Sequence, residues 1–524
     1  MLPGMTLLRF GTAMLAAALW GVVAGLWTPR GPLTTAEALW SIAISLAVGF
    51  VAGRSARSRW AIIGGPVAYA VAVELTRLTV TGPSVDAPHL SVFGLMALLA
   101  GRGVHGLLAL LPLALGAAYG LGRQVRRDHQ DRRESQQPHD HEDPHDHEDR
   151  HDPHDRENHQ DRHDRENHQD CHDHEDRHDY DDRQDHRDRR NRRGRILVST
   201  TTALLVLVTA GVALPARTPP IPGGVAELTS VDANGHRLGM LIRGQSPALP
   251  VLLFVPGTPG GSEKGAARRH LAALEKHFVV VTLDRRGGGS SYAALDPTST
   301  VTVDDAVADI VAVTDHLRNR FRQQRIYLLG FSGGSVLATL AAHRHPDRYH
   351  AYIGTGQAVD LEASDRMFYT DIMAWARTTG HDDVADQLTA QGAPPYADFW
   401  SYEPLLLHEN EAYAQGEPTL ETDASEFTLL EKAHSVNAIM DTWHVLYPRM
   451  QNTDLRQEVP ALPIPAYFVQ GAQEMRGLAV VFDQWYAELQ SPDKRRQTIP
   501  GGHRALFEHP EEFATAVTTL LAPT

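Results

Sequence analysis

Apolar residues form long uninterrupted runs before residue 126, nearly vanish between 126 and 193, and return after residue 220 as short runs between polar segments. The long runs cover residues 10–27, 38–53, 60–73 and 107–122, and a fifth covers 196–214. Each approaches the roughly 20 residues a helix needs to cross a hydrocarbon core. They predict an all-α transmembrane region of about four spans in 1–125 and one more transmembrane helix in 196–215. Residues 91–100 are apolar too, but Gly101, Arg102, Gly103 and His105 cut them from the next run, so they read as an interfacial or half-helix segment. A cleaved signal peptide fits the first run less well, because no small-x-small site precedes Thr28 and further apolar runs follow.

Arginine placement predicts orientation, since short loops rich in Arg stay cytoplasmic. Arg54, Arg57 and Arg59 separate the second and third runs; Arg123, Arg126 and Arg127 follow the fourth; Arg187, Arg189, Arg190, Arg192, Arg193 and Arg195 precede the last. The expected protein is a multi-pass component of the cell membrane, in contact with the lipid bilayer. Segment 126–195 is then cytoplasmic and everything after Ala216 extracytoplasmic.

Charge changes the picture of the middle. The chain of 524 residues carries a net −15, of which residues 126–193 supply −9 through 24 Asp/Glu against 15 Arg; they also hold 14 of the 29 His. PHDHED occurs twice from Pro138, and HDRENHQD begins at His154 and again at His163. Such a segment cannot bury enough apolar surface to offset chain entropy, which predicts a disordered linker over 126–195. Weak transition-metal binding by its imidazoles and carboxylates is the functional alternative. With Cys171 as the single cysteine, an intramolecular disulfide is excluded.

After the Pro-rich joint 215–222, residues 223–524 have the pattern of a globular α/β domain. Residues 225–242 alternate around Asn234-Gly235, a hairpin signal. Short apolar runs at 251–255, 278–283, 326–329, 352–353 and 466–469 read as buried parallel strands. Val303, Val307, Ile310, Val311, Leu317 and Phe321 recur at helical spacing between two of them. Alternating strands and helices predict a doubly covered sheet.

Candidate chemistry sits at the strand ends. Gly330-Phe331-Ser332-Gly333-Gly334 is Gly-x-Ser-x-Gly between a strand and a helix, the turn that exposes a nucleophilic serine. A serine needs a base and the base needs an orienting acid. His503 follows the predicted strand 497–499 and Glu474 follows the strand at 466–469, giving the order Ser, acid, His. Asp483 is the rival acid, in a helical run rather than at a strand end. Two backbone donors are required for an oxyanion: Gly333, after the serine, and Thr258, in the loop Pro256-Gly257-Thr258-Pro259-Gly260-Gly261.

These residues resemble a known family. The loop at Pro256–Gly260 is similar to HGGPG, Asp284-Arg285-Arg286-Gly287-Gly288-Gly289-Ser290-Ser291 to DQRGxGxS, and GFSGGS to the nucleophile region of proline iminopeptidase-like α/β-hydrolases. The resemblance spans about 225–524. It implies an α/β-hydrolase fold with an eight-stranded sheet, a helical cap inserted after the sixth strand at about 361–455, and removal of N-terminal residues, often proline, from peptides. By position it makes Ser332 the nucleophile, Glu474 the acid, His503 the base, and Thr258 and Gly333 the oxyanion donors. Pro256 stands where His is usual, Arg285 where Gln is usual, and Glu474 where Asp is commoner.

The cap would hold Phe368, Tyr369, Trp375, Tyr396, Phe399, Trp400, Tyr402, Trp443 and Tyr447, for its own core or an apolar pocket. Glu403, Glu409, Glu411, Glu417 and Glu426 are available to capture a substrate ammonium. The expected partner is a small-molecule or peptide substrate, with no cofactor, no resident metal and no nucleic acid. A carboxylic ester hydrolase and a non-enzymatic membrane sensor or metal-binding protein are the alternative functions.

Overall fold

The computed structural model describes residues 3–78, 80, 82–134, 170–257, 260–416 and 421–522, with side chains from Leu8 to Arg123 and from Arg192 onward. Residues 135–169, most of the repeats and the side chain of Cys171 lie outside the described residues, and with them the expected disorder and metal binding. The backbone at the edges of the charged segment is helical, since one helix runs to Glu134 and another begins at Asp170. The chain forms two compact units, Met1–Val23 with Ser41–Val73 and Ala109–Ala210, and Ala24–Trp40 with Glu74–Leu108 and Gly211–Thr524.

In the first unit the helices meet through small residues. A Cβ at Gly49 or Gly53 would collide with the carbonyl of Leu113 or Ala117, and one at Gly116 or Gly120 with that of Leu46 or Phe50. Each pair is a Gly-x-x-x-Gly, which lets two apolar helices approach backbone to backbone. Four helical stretches are long and apolar enough to cross a membrane: Leu8–Trp27, Thr35–Ala56, Val92–Arg123 and Arg192–Ala213.

Two details depart from the expected spans. The run at 60–73 becomes the helix Ala61–Arg77, 17 residues long with Pro66 inside it. Residues 91–100 do not stand apart: Ser91 caps the helix Val92–Leu98, and a π-turn over Leu99–Gly103 carries it into Val104–Glu134. The polar and glycine residues that read as a break are absorbed as extra backbone within one helical stretch.

The second unit is built on an eight-stranded sheet ordered β1-β2-β4-β3-β5-β6-β7-β8. The strands are β1 (Val225–Ala233), β2 (His236–Gly244), β3 (Val251–Val255), β4 (Val279–Leu283), β5 (Ile326–Phe331), β6 (Tyr349–Thr355), β7 (Ala466–Gly471) and β8 (Lys494–Ile499). β2 alone runs against the other strands, antiparallel to both β1 and β4, and it is joined to β1 through Asn234 and Gly235 with φ of 50° and 81°, as a primed turn requires. The central strands are apolar throughout because both faces are covered. Leu253, Val255, Val281 and Leu328 enter one core, Leu252, Phe254, Val280 and Leu329 the other. The helix Val303–Phe321 starts at a capping box formed by Thr302 and Asp305.

Between β6 and β7 the chain leaves the sheet as a helical cap that includes Leu361–Thr379, Glu403–Ala412 and Ser435–Met450. Residues 84–105, expected to belong with the membrane helices, pack on this cap instead. The Val85 amide donates to Asp441 (2.7 Å), Asn437 to the Ala97 carbonyl (3.2 Å) and the Phe93 amide to Glu403 (2.7 Å), while His89 stacks on Trp400. Val85 and Ala97 are buried in the same core as the cap aromatics. The folded globular unit therefore extends beyond the expected 223–524.

Candidate active site

Ser332 begins the helix Ser332–Arg344 directly after β5 and has a φ of +51°, a strained value for a non-glycine residue. The glycines around it have no room for side chains: a Cβ at Gly330 would strike Ser335, and one at Gly334 would strike the Pro256 carbonyl. The motif spacing thus brings strand, helix and the loop after β3 to van der Waals contact around one hydroxyl. Ser332 Oγ lies 2.9 Å from His503 Nε2, and His503 Nδ1 lies 2.8 Å from Glu474 Oε1. The three residues come from the ends of β5, β8 and β7. Asp483 takes no part, being paired with Arg496 at the surface.

Burial alone would lower the imidazole's proton affinity. The Glu474 carboxylate, its hydrogen bond and the nearby charge of Glu409 outweigh that, so the pKa of His503 is raised. A hydroxyl, an imidazole and a carboxylate in this sequence can move a proton off the serine and hold the resulting charge. Gly333 lies buried in the first turn of the helix, where free backbone amides face a developing anion. Thr258 lies outside the described residues. Its neighbour Gly257 is packed against Ser332, so the loop after β3 borders the hydroxyl.

Residues 250–510 match the family model described as the alpha/beta hydrolase fold. The chain carries an α/β-hydrolase domain. It is 25% identical over 311 residues to "Probable aminopeptidase YbaC" of Bacillus subtilis (strain 168), covering 57% of this chain and 97% of that protein. It is 27% identical over 180 residues to "Serine hydrolase BPHL" of Homo sapiens, covering 34% of this chain and 60% of that one. Among solved structures, the proline iminopeptidase of Mycobacterium smegmatis aligns with 56% of this chain and 97% of its own at 20% identity, with a TM-score of 0.43.

Two residues of the α/β-hydrolase site were not legible in its motifs. Gln415, from the cap, accepts from the His503 amide (2.8 Å) and donates to the Gln473 carbonyl (2.9 Å), tying the histidine loop to the loop that carries Glu474. Arg285 was visible only as a departure from the family pattern. It is buried, donates to the Gly257 carbonyl, and leaves its Nη1 without a hydrogen-bond partner. Burial without a carboxylate partner lowers its pKa to about 10. A trans peptide points its C=O and its following N–H in opposite directions, so holding the Gly257 carbonyl orients that peptide plane beside Ser332. Arg285→Met is expected to lower kcat by roughly tenfold to a hundredfold with KM little changed, less than the loss of an oxyanion donor itself. Its Tm should hold or rise, because an unpaired buried charge is removed. A folded variant with full kcat would leave Arg285 a packing role only.

Proposed function

We propose that this protein is a membrane-anchored serine hydrolase that removes N-terminal residues from peptides, in the manner of proline iminopeptidases. In this reading His503 deprotonates Ser332, which attacks the scissile carbonyl. The amides of Gly333 and Thr258 hold the oxyanion, Glu474 stabilises the imidazolium, and His503 then protonates the departing amine. Water, activated by the same histidine, releases the acyl group. The apolar helices anchor the chain in the cell membrane, and the Arg-rich flanks support an extracytoplasmic hydrolase domain.

The observation that carries peptidase over esterase chemistry is a cap carboxyl group, Glu409, close to the histidine, with a second, Asp365, close to Glu409. Of the five glutamates considered, Glu403 accepts the Phe93 amide, Glu426 is buried beside Arg268, Glu411 is exposed and Glu417 lies outside the described residues. Glu409 is near enough to His503 and Asp365 for their charges to interact, and burial raises its pKa to about 7. Burial likewise raises Asp365 to about 7, against hydrogen bonds from Tyr447 (2.7 Å) and Tyr402 (3.0 Å). Asp365 is buried and Glu409 partly buried, neither is in an ion pair among the described residues, and a peptide's α-ammonium would supply the positive charge both lack.

The pH dependence has a sign. With its pKa raised to about 7, Glu409 is protonated below that pH and binds an ammonium only above it. kcat/KM for aminoacyl arylamides should therefore climb through pH 7 as Glu409 ionises, and because His503, whose pKa is raised, must be neutral to act as base, its deprotonation adds to the rise with pH. It should fall again as the substrate amine deprotonates near roughly pH 8. Glu409→Gln is expected to raise KM for free-amine substrates by roughly 10- to 100-fold, equivalent to losing one charged hydrogen bond. KM for aryl acetates should stay put while their acid limb moves to lower pH, because Glu409 no longer raises His503. Equal losses on both substrate classes would remove the ammonium role.

A further inference from the structure

The loops that carry the acid and the base are paired to one rung short of the histidine. Ala472 donates its amide to the Ile499 carbonyl (2.8 Å) and Gln473 to that of Gly501 (2.9 Å), prolonging the ladder between β7 and β8. The next groups, the Gln473 carbonyl and the His503 amide, bond instead to the side-chain amide of Gln415 (2.9 and 2.8 Å). Its Nε2 also donates to the Tyr413 carbonyl (3.2 Å), so the partners fix which end of the amide is oxygen and which nitrogen. A side chain from the cap thus stands in for a backbone rung where Glu474 and His503 must meet.

The histidine loop is shaped to this insertion. A Cβ at Gly502 would overlap the Gln415 side-chain amide, to which its three nearest atoms all belong. Gln415 is in turn fixed to the cap helix Glu403–Ala412 that it follows. Its backbone amide donates to the Asn410 carbonyl (2.8 Å) and that of Ala414 to Glu411 (3.1 Å), with Ala414 left-handed at a φ of 49°. This is a Schellman end, a closure that more often recruits glycine at the left-handed position. Glu409, the ammonium ligand of the reading above, lies in the last turn of the same helix.

We propose that Gln415 is a positioning residue for the hydrolysis: it aligns the His503 and Glu474 loops, and does so only while the cap helix that carries Glu409 is seated. The inference rests on the serine-hydrolase reading of Ser332, not on the choice of peptide over ester. Ser332 is placed by the turn after β5, whereas base and acid sit on loops that take their last bond from the cap. Alignment of the triad and recognition of the substrate's amine therefore share one helix end.

Phosphonylation by a fluorophosphonate reads the alignment without a substrate amine: Ser332 Oγ displaces fluoride from phosphorus and His503 takes the hydroxyl proton. The full-length protein in dodecyl maltoside is compared with Gln415→Met, which fills the same space and makes neither bond. The maximal labelling rate is expected to fall about 10- to 100-fold at an unchanged half-saturating probe concentration, the scale of a misplacement of about 1 Å. Gly502→Ala should cost as much alone and nothing further in Gln415→Ala, where the amide it displaces is already gone. Ala414→Pro cannot hold the left-handed φ and should match Gln415→Met, because the helix end no longer delivers the side chain.

In each variant the acid limb of the labelling rate should move to lower pH, since a Glu474 carboxylate that drifts from Nδ1 raises His503 less. Glu409 and Arg504 are the other charges acting on that ring. An undiminished rate in a folded Gln415→Met, or additive losses with Gly502→Ala, would overturn the proposal. An undiminished rate in Ala414→Pro would overturn the cap's part in it. An unmutated chain that takes no label would overturn the serine-hydrolase reading, and this proposal with it.

Discussion

Ser332→Ala is expected to lower kcat for aminoacyl arylamides by on the order of 10⁴- to 10⁶-fold, with KM nearly unchanged. The reason is the chain of contacts: Ser332 Oγ is 2.9 Å from His503 Nε2, and no other hydroxyl shares that nitrogen's hydrogen bond among the described residues. His503→Ala should cost about as much, and the double variant no more than either, because nucleophile and base act as one unit. Glu474→Ala should be shallower by one to two orders of magnitude, since the serine and histidine remain in register. Glu474→Asp should fall between, as the shorter side chain withdraws from Nδ1. Additive losses in the double variant, seen by steady-state kinetics, would mean that the two residues serve separate steps.

The second large effect concerns the chain's N-terminal half. A chain beginning at residue 223 is expected to be insoluble or to melt at least about 10 °C below the full protein. Removing residues 84–105 strips the partner amide from Asp441 and the carbonyl from Asn437, both fully buried. Asp441 keeps the Tyr292 hydroxyl on its other oxygen, but each buried polar atom left unsatisfied costs about 1–3 kcal/mol, and uncovering Phe399, which Phe93 covers, adds to that. The sum is a large part of the 5–15 kcal/mol that keeps a typical domain folded. A soluble 223–524 fragment with a cooperative transition at the full-length Tm would show that the packed segment contributes nothing. The measurement is circular dichroism melting of both chains in the same detergent.

What could be read from the chain was local. The Asn234-Gly235 turn, the buried strands and Gly-x-Ser-x-Gly are each specified within a few residues, and β3 spans the residues its apolar run predicts. His503 and Glu474 were reachable because the expected chain order restricts the search to strand ends. Gln415 and Glu409 were not singled out, because their place is set by how the cap folds over residues about 90 positions away. The packing of residues 84–105 was hidden for a different reason. An apolar stretch suits a bilayer and a protein core equally well, and only the partners at Asp441, Asn437 and Glu403 distinguish them. The Gly-x-x-x-Gly pairs at Gly49 and Gly116 were a signal present in the sequence and passed over, since glycine in an apolar run reads first as a weak point in a helix.

The central claim is that a free N-terminus is recognised before the serine attacks. The most direct measurement compares prolyl and alanyl arylamides with their N-acetylated forms and with matched aryl esters, using the full-length protein and Ser332→Ala as the blank. Cleavage of the free-amine arylamides at rates far above the acetylated ones is the predicted result. Cleavage of esters alone, or of blocked and free arylamides at the same rate, would contradict it.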